Sequence, residues 1–136
     1  LPYLLRGQVF SSPGVVYRRK FLEKYGWNEN SILEDYELYL KLSTDGEFAR
    51  NEKVLSGWRQ HGSNVSGDFP KMLDEWIAAQ NRNVDKLNLS RAELDKIQTE
   101  LKFDSVASFV RYGFKREAAA LFLKNLKGAK SAAQIG

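Results

Sequence analysis

The hydrophobic spacing of the sequence changes at Pro70, and this change constrains the fold more than any other feature. Before Pro70, short β-rich runs such as "GVVYRR" alternate with helical runs and turns rich in Gly and Pro. After it, apolar residues recur at helical spacing in "KMLDEWIAAQNRNVDKL". We therefore predict an α/β (α+β) chain, with an α/β part at 1–67 and a helical C-terminal extension at 68–136.

Within the first part, strands are predicted at 14–18 and 53–60, flanking a helix at 33–44. "RKFLEKYGW" predicts a short helix that ends at Gly26, which suits a left-handed C-cap. In the second part, Ser90 followed by Glu93 is a capping-box signature for a helix in "SRAELDKIQTELK", and "DSVASFVRYGF" and "KREAAALFLKNLKG" predict two more helical segments.

The composition limits the class of protein. The chain has 136 residues, 43% of them hydrophobic and 28% charged, as in soluble globular domains. It contains no cysteine, which excludes a disulfide framework, a thiolate metal site and a Cys nucleophile. No apolar run approaches the roughly 20 residues that a membrane-spanning helix needs. We predict a cytoplasmic location, with peripheral contact at the inner membrane face as an open alternative.

The segment "ILEDYELYLKL" places two adjacent acids in an otherwise apolar helix. At roughly 100° per residue, Glu34, Glu37 and Lys41 fall in one stripe, which we expect to face water. Asp35 falls on the apolar side, at the start of the helix. The two acids are therefore predicted to point in different directions.

A carboxylate held against apolar neighbours requires an explanation. One explanation is structural: Asp35 satisfies free N–H groups in the first helical turn and complements the helix dipole. The other is chemical, because a partly desolvated carboxylate that stays ionised can accept a proton as a general base. The residues alone leave both interpretations open.

Two stretches resemble the acceptor side of family 2 glycosyltransferases of the GT-A fold. The first is "SSPGVVYRRKFLEKYGWNENSILEDYELYLKL", and the second is "GWRQHGSNVS", which resembles the later segment with an aromatic, an Arg and a His. Together they cover about half of the chain, from 8 to 67. The residues of the first stretch that match the family pattern, in order, are Ser11, Ser12, Gly14, Arg18, Arg19, Gly26, Trp27, Asn28, Glu29, Glu34, Asp35 and Tyr36.

The resemblance implies a partial GT-A-like layer and an inverting sugar transfer to a hydroxyl acceptor. Asp35 would be the catalytic base that takes the proton of the acceptor hydroxyl, and Glu34 would orient the loop or the acceptor. Gly14 and Arg18 would contact the substrate.

The resemblance also implies a metal-assisted departure of the nucleoside diphosphate. Arg59 would lie near the diphosphate of the nucleotide-diphosphate sugar. His61, the sole histidine, would be a ligand of Mn²⁺ or Mg²⁺, alongside acids from another part of the enzyme.

The sequence departs from the family pattern in one important respect. It contains no Asp-x-Asp motif, which holds the metal in the nucleotide-binding half of these enzymes. The chain begins at "LPYLLRGQVF", so we expect it to be the C-terminal part of a non-processive transferase, inactive alone. The missing N-terminal half would be one partner. Exposed apolar surface is expected on the first part, covered in a homo-oligomer by a second copy.

A different class of function remains open. In it, 70–136 would be a helical module that binds a partner protein or a membrane surface. Phe114, Ala118 and Leu121 share one face of a predicted helix, a pattern more typical of a core-facing helix than of a lipid-binding one. Binding to nucleic acid rests only on the net charge of +4 and has no motif, so we do not expect it.

Overall fold

The computed structural model describes residues 1–7, 12–59 and 61–129. These residues form six α-helices, four short 3-10 turns and irregular connections, and no β-strand occurs among them. The helices are α1 (Pro2–Leu5), α2 (Arg19–Tyr25), α3 (Glu34–Leu42), α4 (Phe69–Asn83), α5 (Arg91–Arg111) and α6 (Lys115–Lys124).

The predicted α/β (α+β) class with a GT-A-like layer is wrong, because both predicted strands are absent. Residues 15–18 have no regular secondary structure, and 53–59 run irregularly across the surface. A strand needs a neighbour to bond its backbone groups, and neither segment has one in the described ranges. Ser11 of the predicted loop motif and Gln60 at the end of the predicted second strand lie outside the described residues.

The first part exposes large apolar side chains, as expected. Val16 is 97% exposed and Val54 is 95% exposed, and Leu55 and Trp58 are also largely in solvent. These apolar residues favoured the strand prediction, but here they are exposed.

The helical predictions are confirmed, except that the two segments predicted between Ser90 and Phe114 form the single helix α5. Local capping explains some of the helix ends. Gly26 ends α2 with φ 61°. Ser90 Oγ accepts a hydrogen bond from Glu93 N at 3.2 Å, and Glu93 Oε2 accepts one from Ser90 N at 2.8 Å, the predicted capping box. At the other end of α5, Gly113 has φ 89° and Phe114 N donates to Phe109 O, as in a Schellman motif.

The core consists of two hydrophobic clusters that share α4. The first cluster joins α1, α3 and α4, and the second joins α4, α5 and α6. Trp76 of α4 packs against both. The buried residues of the first cluster are Leu4, Leu5, Leu33, Tyr36, Tyr39, Leu40, Ala79 and Leu87, and those of the second are Leu73, Leu101, Phe109 and Ala118.

The amphipathic helix α6 packs its apolar face into the second cluster. Ala118 is buried, Phe114 and Leu121 pack against the cluster, and the Phe122 ring lies 5.7 Å from that of Phe103. The predicted core-facing role of this helix is confirmed. In the part of the chain that the structure describes, no helix combines the length and apolar character needed to cross a bilayer.

The chain passes α5 very closely at Gly128, in the 3-10 turn Leu126–Gly128. A Cβ placed on Gly128 would lie 2.9 Å from Phe103 Cβ and closer still to the Thr99 carbonyl oxygen. Backbone cannot yield as a flexible side chain can. The close approach therefore requires glycine at this position.

We expect Gly128→Ala to lower the free energy of unfolding by about 1–3 kcal/mol, the usual cost of overpacking a well-packed site. The melting temperature measured by circular dichroism should fall. Gly57→Ala is the matched control, because a Cβ there meets nothing within 4 Å, and it should leave the melting temperature nearly unchanged. Equal melting temperatures for both variants would contradict the close approach.

Candidate active site

The two adjacent acids at the start of α3 point in different directions, as predicted. Asp35 is only 9% exposed, whereas Glu34 lies in solvent. Asp35 Oδ1 accepts a hydrogen bond from Tyr36 N at 2.6 Å. The carboxylate therefore sits at the first turn of a buried helix, where free N–H groups and the helix dipole stabilise its negative charge.

Two tyrosines are close enough to this carboxylate for its charge to raise their pKa values. Tyr17, which follows the Ser12–Gly14 turn, donates its hydroxyl hydrogen to Tyr39 Oη at 3.3 Å. Burial raises the pKa of Tyr17, and the negative charge of Asp35 raises it further. Burial, the Tyr17 hydroxyl and Asp35 likewise raise the pKa of Tyr39. Both phenols therefore stay protonated at neutral pH and can donate or accept hydrogen bonds.

Aromatic rings extend from these tyrosines to the surface. The Tyr17 ring stacks on Tyr39 at 6.4 Å and meets Trp27 edge-on at 5.8 Å. Phe48 meets Tyr39 edge-on at 6.4 Å. Trp27 is 43% exposed. The result is an aromatic wall with one end in the core and the other in solvent.

Gly14 lies at the edge of this cluster. A Cβ on Gly14 would come 3.1 Å from Ser56 Oγ, so the turn and the irregular 47–59 segment approach each other here. The Ser12 hydroxyl also forms a hydrogen bond with Tyr17. This bond lowers the pKa of Tyr17 and so opposes the larger effect of burial. We call Ser12, Tyr17, Trp27, Asp35 and Tyr39 the Asp35 cluster.

The other predicted site residues lie on exposed stretches. Arg18 and Arg59 are exposed, and the Arg59 carbonyl accepts from Asn64 Nδ2 at 3.2 Å. His61 is exposed, with Nδ1 2.9 Å from Ser63 Oγ. Across residues 1–7, 12–59 and 61–129, no three His, Asp or Glu side chains are grouped so as to hold a metal ion.

The prediction that Glu37 faces water is wrong. Its side chain is buried, because Arg82 of α4 covers it. Glu37 Oε2 accepts from Arg82 Nη2 at 2.7 Å and from Asn28 Nδ2 at 2.9 Å. The predicted i,i+4 pair with Lys41 is confirmed at 3.3 Å. Arg82 Nη2 also contacts Glu75 Oε1 at 2.7 Å, so a charged network ties α3 to α4.

Comparisons with protein-family models, with curated proteins and with solved structures found no match. The resemblance to family 2 glycosyltransferases therefore rests on the motifs in the sequence.

Sequence reasoning did not find the roles of Tyr17, Trp27 and Tyr39 around Asp35. Trp27 belongs to the motif that carries the resemblance, and Tyr17 lies in a predicted strand, with no spacing signal to relate it to α3. The contact between Tyr17 and Tyr39 depends on how the segment after the Ser12–Gly14 turn packs against α3.

We expect Glu37→Gln to destabilise the fold by about 1–3 kcal/mol at pH 7, because it weakens charge-assisted hydrogen bonds to a half-exposed Arg82. Burial raises the pKa of Glu37, but bonds from Asn28 and Arg82 outweigh it, so the pKa is lowered overall. The stabilisation is thus present above the ordinary carboxyl pKa and is lost as the pH falls through the lowered value.

Urea denaturation of the wild type and the variant at pH 7 and pH 3 measures this difference, which should shrink at pH 3. Glu23→Gln is the control: Glu23 is 69% exposed in its pair with Arg19, and such surface pairs contribute little. A Glu37→Gln cost that stays the same at both pH values would argue against an ionic role.

Proposed function

We propose that the Asp35 cluster is the acceptor site of an inverting glycosyltransferase, which moves a sugar from a nucleotide-diphosphate sugar to a hydroxyl acceptor. The proposal draws on the motif resemblance and on the arrangement around Asp35. It does not require a sheet within 1–67. We place this reaction in the synthesis of a surface polysaccharide or a glycolipid.

The position of Asp35 is the observation that carries the proposal. A carboxylate that is 9% exposed carries a negative charge that raises the pKa of both Tyr17 and Tyr39, and the Tyr17 ring leads to the half-exposed Trp27. A purely structural Asp in the first helical turn needs only free N–H groups. The tyrosines add hydrogen-bonding groups that such a role does not need.

The chemistry assigned to Asp35 is general-base catalysis. As the acceptor oxygen attacks the anomeric carbon, its proton passes to the Asp35 carboxylate, and the bond to the diphosphate breaks on the opposite face of the sugar. The half-buried Tyr17 hydroxyl would hold the acceptor, and the buried Tyr39 hydroxyl, which accepts a hydrogen bond from Tyr17, would hold Tyr17 in position. Glu34, exposed beside Asp35, would bind another acceptor hydroxyl.

The aromatic wall suits a sugar-like acceptor. Trp27 and Tyr17 offer apolar ring faces together with polar groups at their edges. Sugars likewise combine apolar C–H faces with hydroxyl groups. Gly14 leaves the edge of the cluster free of a side chain, so that the substrate can approach the backbone. Arg18 is exposed and directly follows Tyr17, and we assign it to substrate binding.

The Mn²⁺ or Mg²⁺ that the resemblance implies does not fit the described residues by themselves. His61 is exposed and bonded to Ser63, and the described ranges contain no group of three ligands around it. We therefore derive no step through a metal. In the proposal, the acid ligands of the metal come from a nucleotide-binding half, and His61 and Arg59 lie on the loop that faces it. The exposed apolar side chains of Val16, Val54 and Leu55 are the surface that half would cover.

We expect Asp35→Asn to lower kcat by about 10²–10⁴-fold in the protein that includes the nucleotide-binding half. The amide keeps the shape of the side chain and can still accept the bond from Tyr36 N, but it cannot take a proton. Release of nucleoside diphosphate, measured over a panel of nucleotide-diphosphate sugars and hydroxyl acceptors, gives kcat, and circular dichroism gives the melting temperature.

Glu34→Gln is the matched control, one residue away and exposed, and its loss in kcat should be much smaller. If Asp35→Asn shifts only the melting temperature and leaves kcat unchanged, Asp35 has the structural role alone. If Glu34→Gln reduces kcat more, the base has been assigned to the wrong acid.

A further inference from the structure

The helix α6 has one side that the other described residues leave in solvent. Its inner side, with Ala118 and Leu121, packs into the second hydrophobic cluster. At about 100° per residue, the opposite side carries only exposed side chains, and Leu123 among them is 69% exposed. We call this side the outer face of α6, and its residues are Lys115, Arg116, Ala119, Ala120, Leu123 and Lys124.

The outer face is positively charged. Between 111 and 127 the chain has five Lys or Arg residues and a single acid, Glu117. Lys115, Arg116 and Lys124 form no ion pair with a carboxylate in the described ranges. Their charges are therefore not neutralised within the fold, and they attract an anionic partner.

Apolar side chains lie on the outer face between cations. Lys115 and Lys124 stand at its two edges, about 180° apart around the helix. The side chains between them are three apolar groups and one further cation: Ala119, Ala120, Leu123 and Arg116. Lys and Arg have long apolar stems, so their charged ends can reach lipid phosphates while apolar neighbours enter the boundary with the acyl chains.

Other occupants suit this face less well. A second copy of the chain would bring like charges together, which opposes association. Single-stranded nucleic acid is bound by cations together with aromatic rings, but the outer face has no aromatic residue, and the ring of the nearby Tyr112 already stacks on Phe69 at 4.1 Å. Protein interfaces are depleted in Lys and enriched in aromatics, the reverse of this composition.

We propose that the outer face of α6 binds the surface of an anionic lipid bilayer, with the helix lying parallel to the membrane. Lys115, Arg116 and Lys124 contact lipid phosphates, and Leu123 enters the boundary with the acyl chains. No residue of the Asp35 cluster takes part, so the proposal goes beyond the transferase reaction and does not depend on it. With few cations and one large apolar side chain, the binding is reversible and sensitive to salt.

The test measures how much of the 136-residue chain sediments with lipid vesicles. The vesicles contain either phosphatidylcholine with an equal amount of phosphatidylglycerol, or phosphatidylcholine alone. We expect the chain to bind the anionic vesicles and not the neutral ones. Added NaCl should release it, because salt screens the attraction between the cations and the anionic lipids.

Charge variants locate the binding surface. Each cation near an anionic membrane strengthens binding about fivefold, so combining Lys115→Gln, Arg116→Gln and Lys124→Gln should weaken binding about 10²-fold. A control variant removes three exposed cations from other parts of the chain and changes the net charge equally. It should weaken binding less than about fivefold. Its substitutions are Lys53→Gln, Lys71→Gln and Lys86→Gln.

An apolar variant separates contact with the acyl boundary from attraction by charge alone. Leu123→Gln leaves the net charge unchanged and should weaken binding about 3–10-fold. Leu55→Gln is the matched control, because Leu55 is 72% exposed but lies on the irregular segment before α4. It should bind like the wild type. Circular dichroism checks that each variant is folded.

The proposal is overturned if the chain fails to bind the anionic vesicles or binds neutral vesicles equally well. It is also overturned if the dispersed control weakens binding as much as the α6 variant, or if Leu123→Gln binds like the wild type. Release of the chain from the vesicles by single-stranded DNA or by polyglutamate, at a charge concentration equal to that of the lipid, would favour nucleic acid or an acidic protein instead. The Leu123→Gln result decides the matter should the triple variant of α6 fail to fold.

Discussion

The amide of Gln80 joins three helices inside an otherwise apolar cluster, and the arrangement of the first part depends on it. Gln80 Nε2 donates to Leu5 O and to Tyr36 Oη, both at 2.9 Å, and the Tyr36 hydroxyl donates to Leu4 O at 2.9 Å. Burial raises the pKa of Tyr36 to about 12. Because a buried polar group is costly when unpaired, the bonds from Nε2 favour this one register of α4 against α1 and α3, even though Gln80 Oε1 has no partner among the described residues.

The helices could be predicted from sequence because their signals are local. Gly26 and the pair of Ser90 and Glu93 act within a few residues of chain, and their geometry follows from backbone chemistry alone. The strand predictions failed because the pairing of strands depends on segments that are distant in sequence. The β-branched residues around Val16 and Val54 favour an extended backbone, but a strand also requires a neighbour, and these segments find none in the described ranges.

The same difference between local and tertiary signals applies to the candidate site. The different directions of Glu34 and Asp35 followed from helical phase, which one segment determines. The same phase correctly grouped Glu34, Glu37 and Lys41, but it could not show that Arg82 of a later helix covers part of that stripe. The approach of Tyr17 to the carboxylate depends likewise on tertiary packing. Sequence therefore indicated that Asp35 is shielded, but it missed the burial of Glu37, and only the structure showed that Arg82 covers Glu37.

The irregular stretches 46–59 and 61–64 belong to the connection between α3 and α4, two helices that pack directly on each other through Glu37 and Arg82. The ends of this connection are thus held by the fold rather than by the connection itself. A protease that cuts among its exposed residues would sever the covalent link without separating the pieces, because the shared cluster and the ion pair hold them together. The parts of the chain before and after this loop would therefore reassociate as two fragments. The loop is the natural place to cut the chain or to insert residues into it.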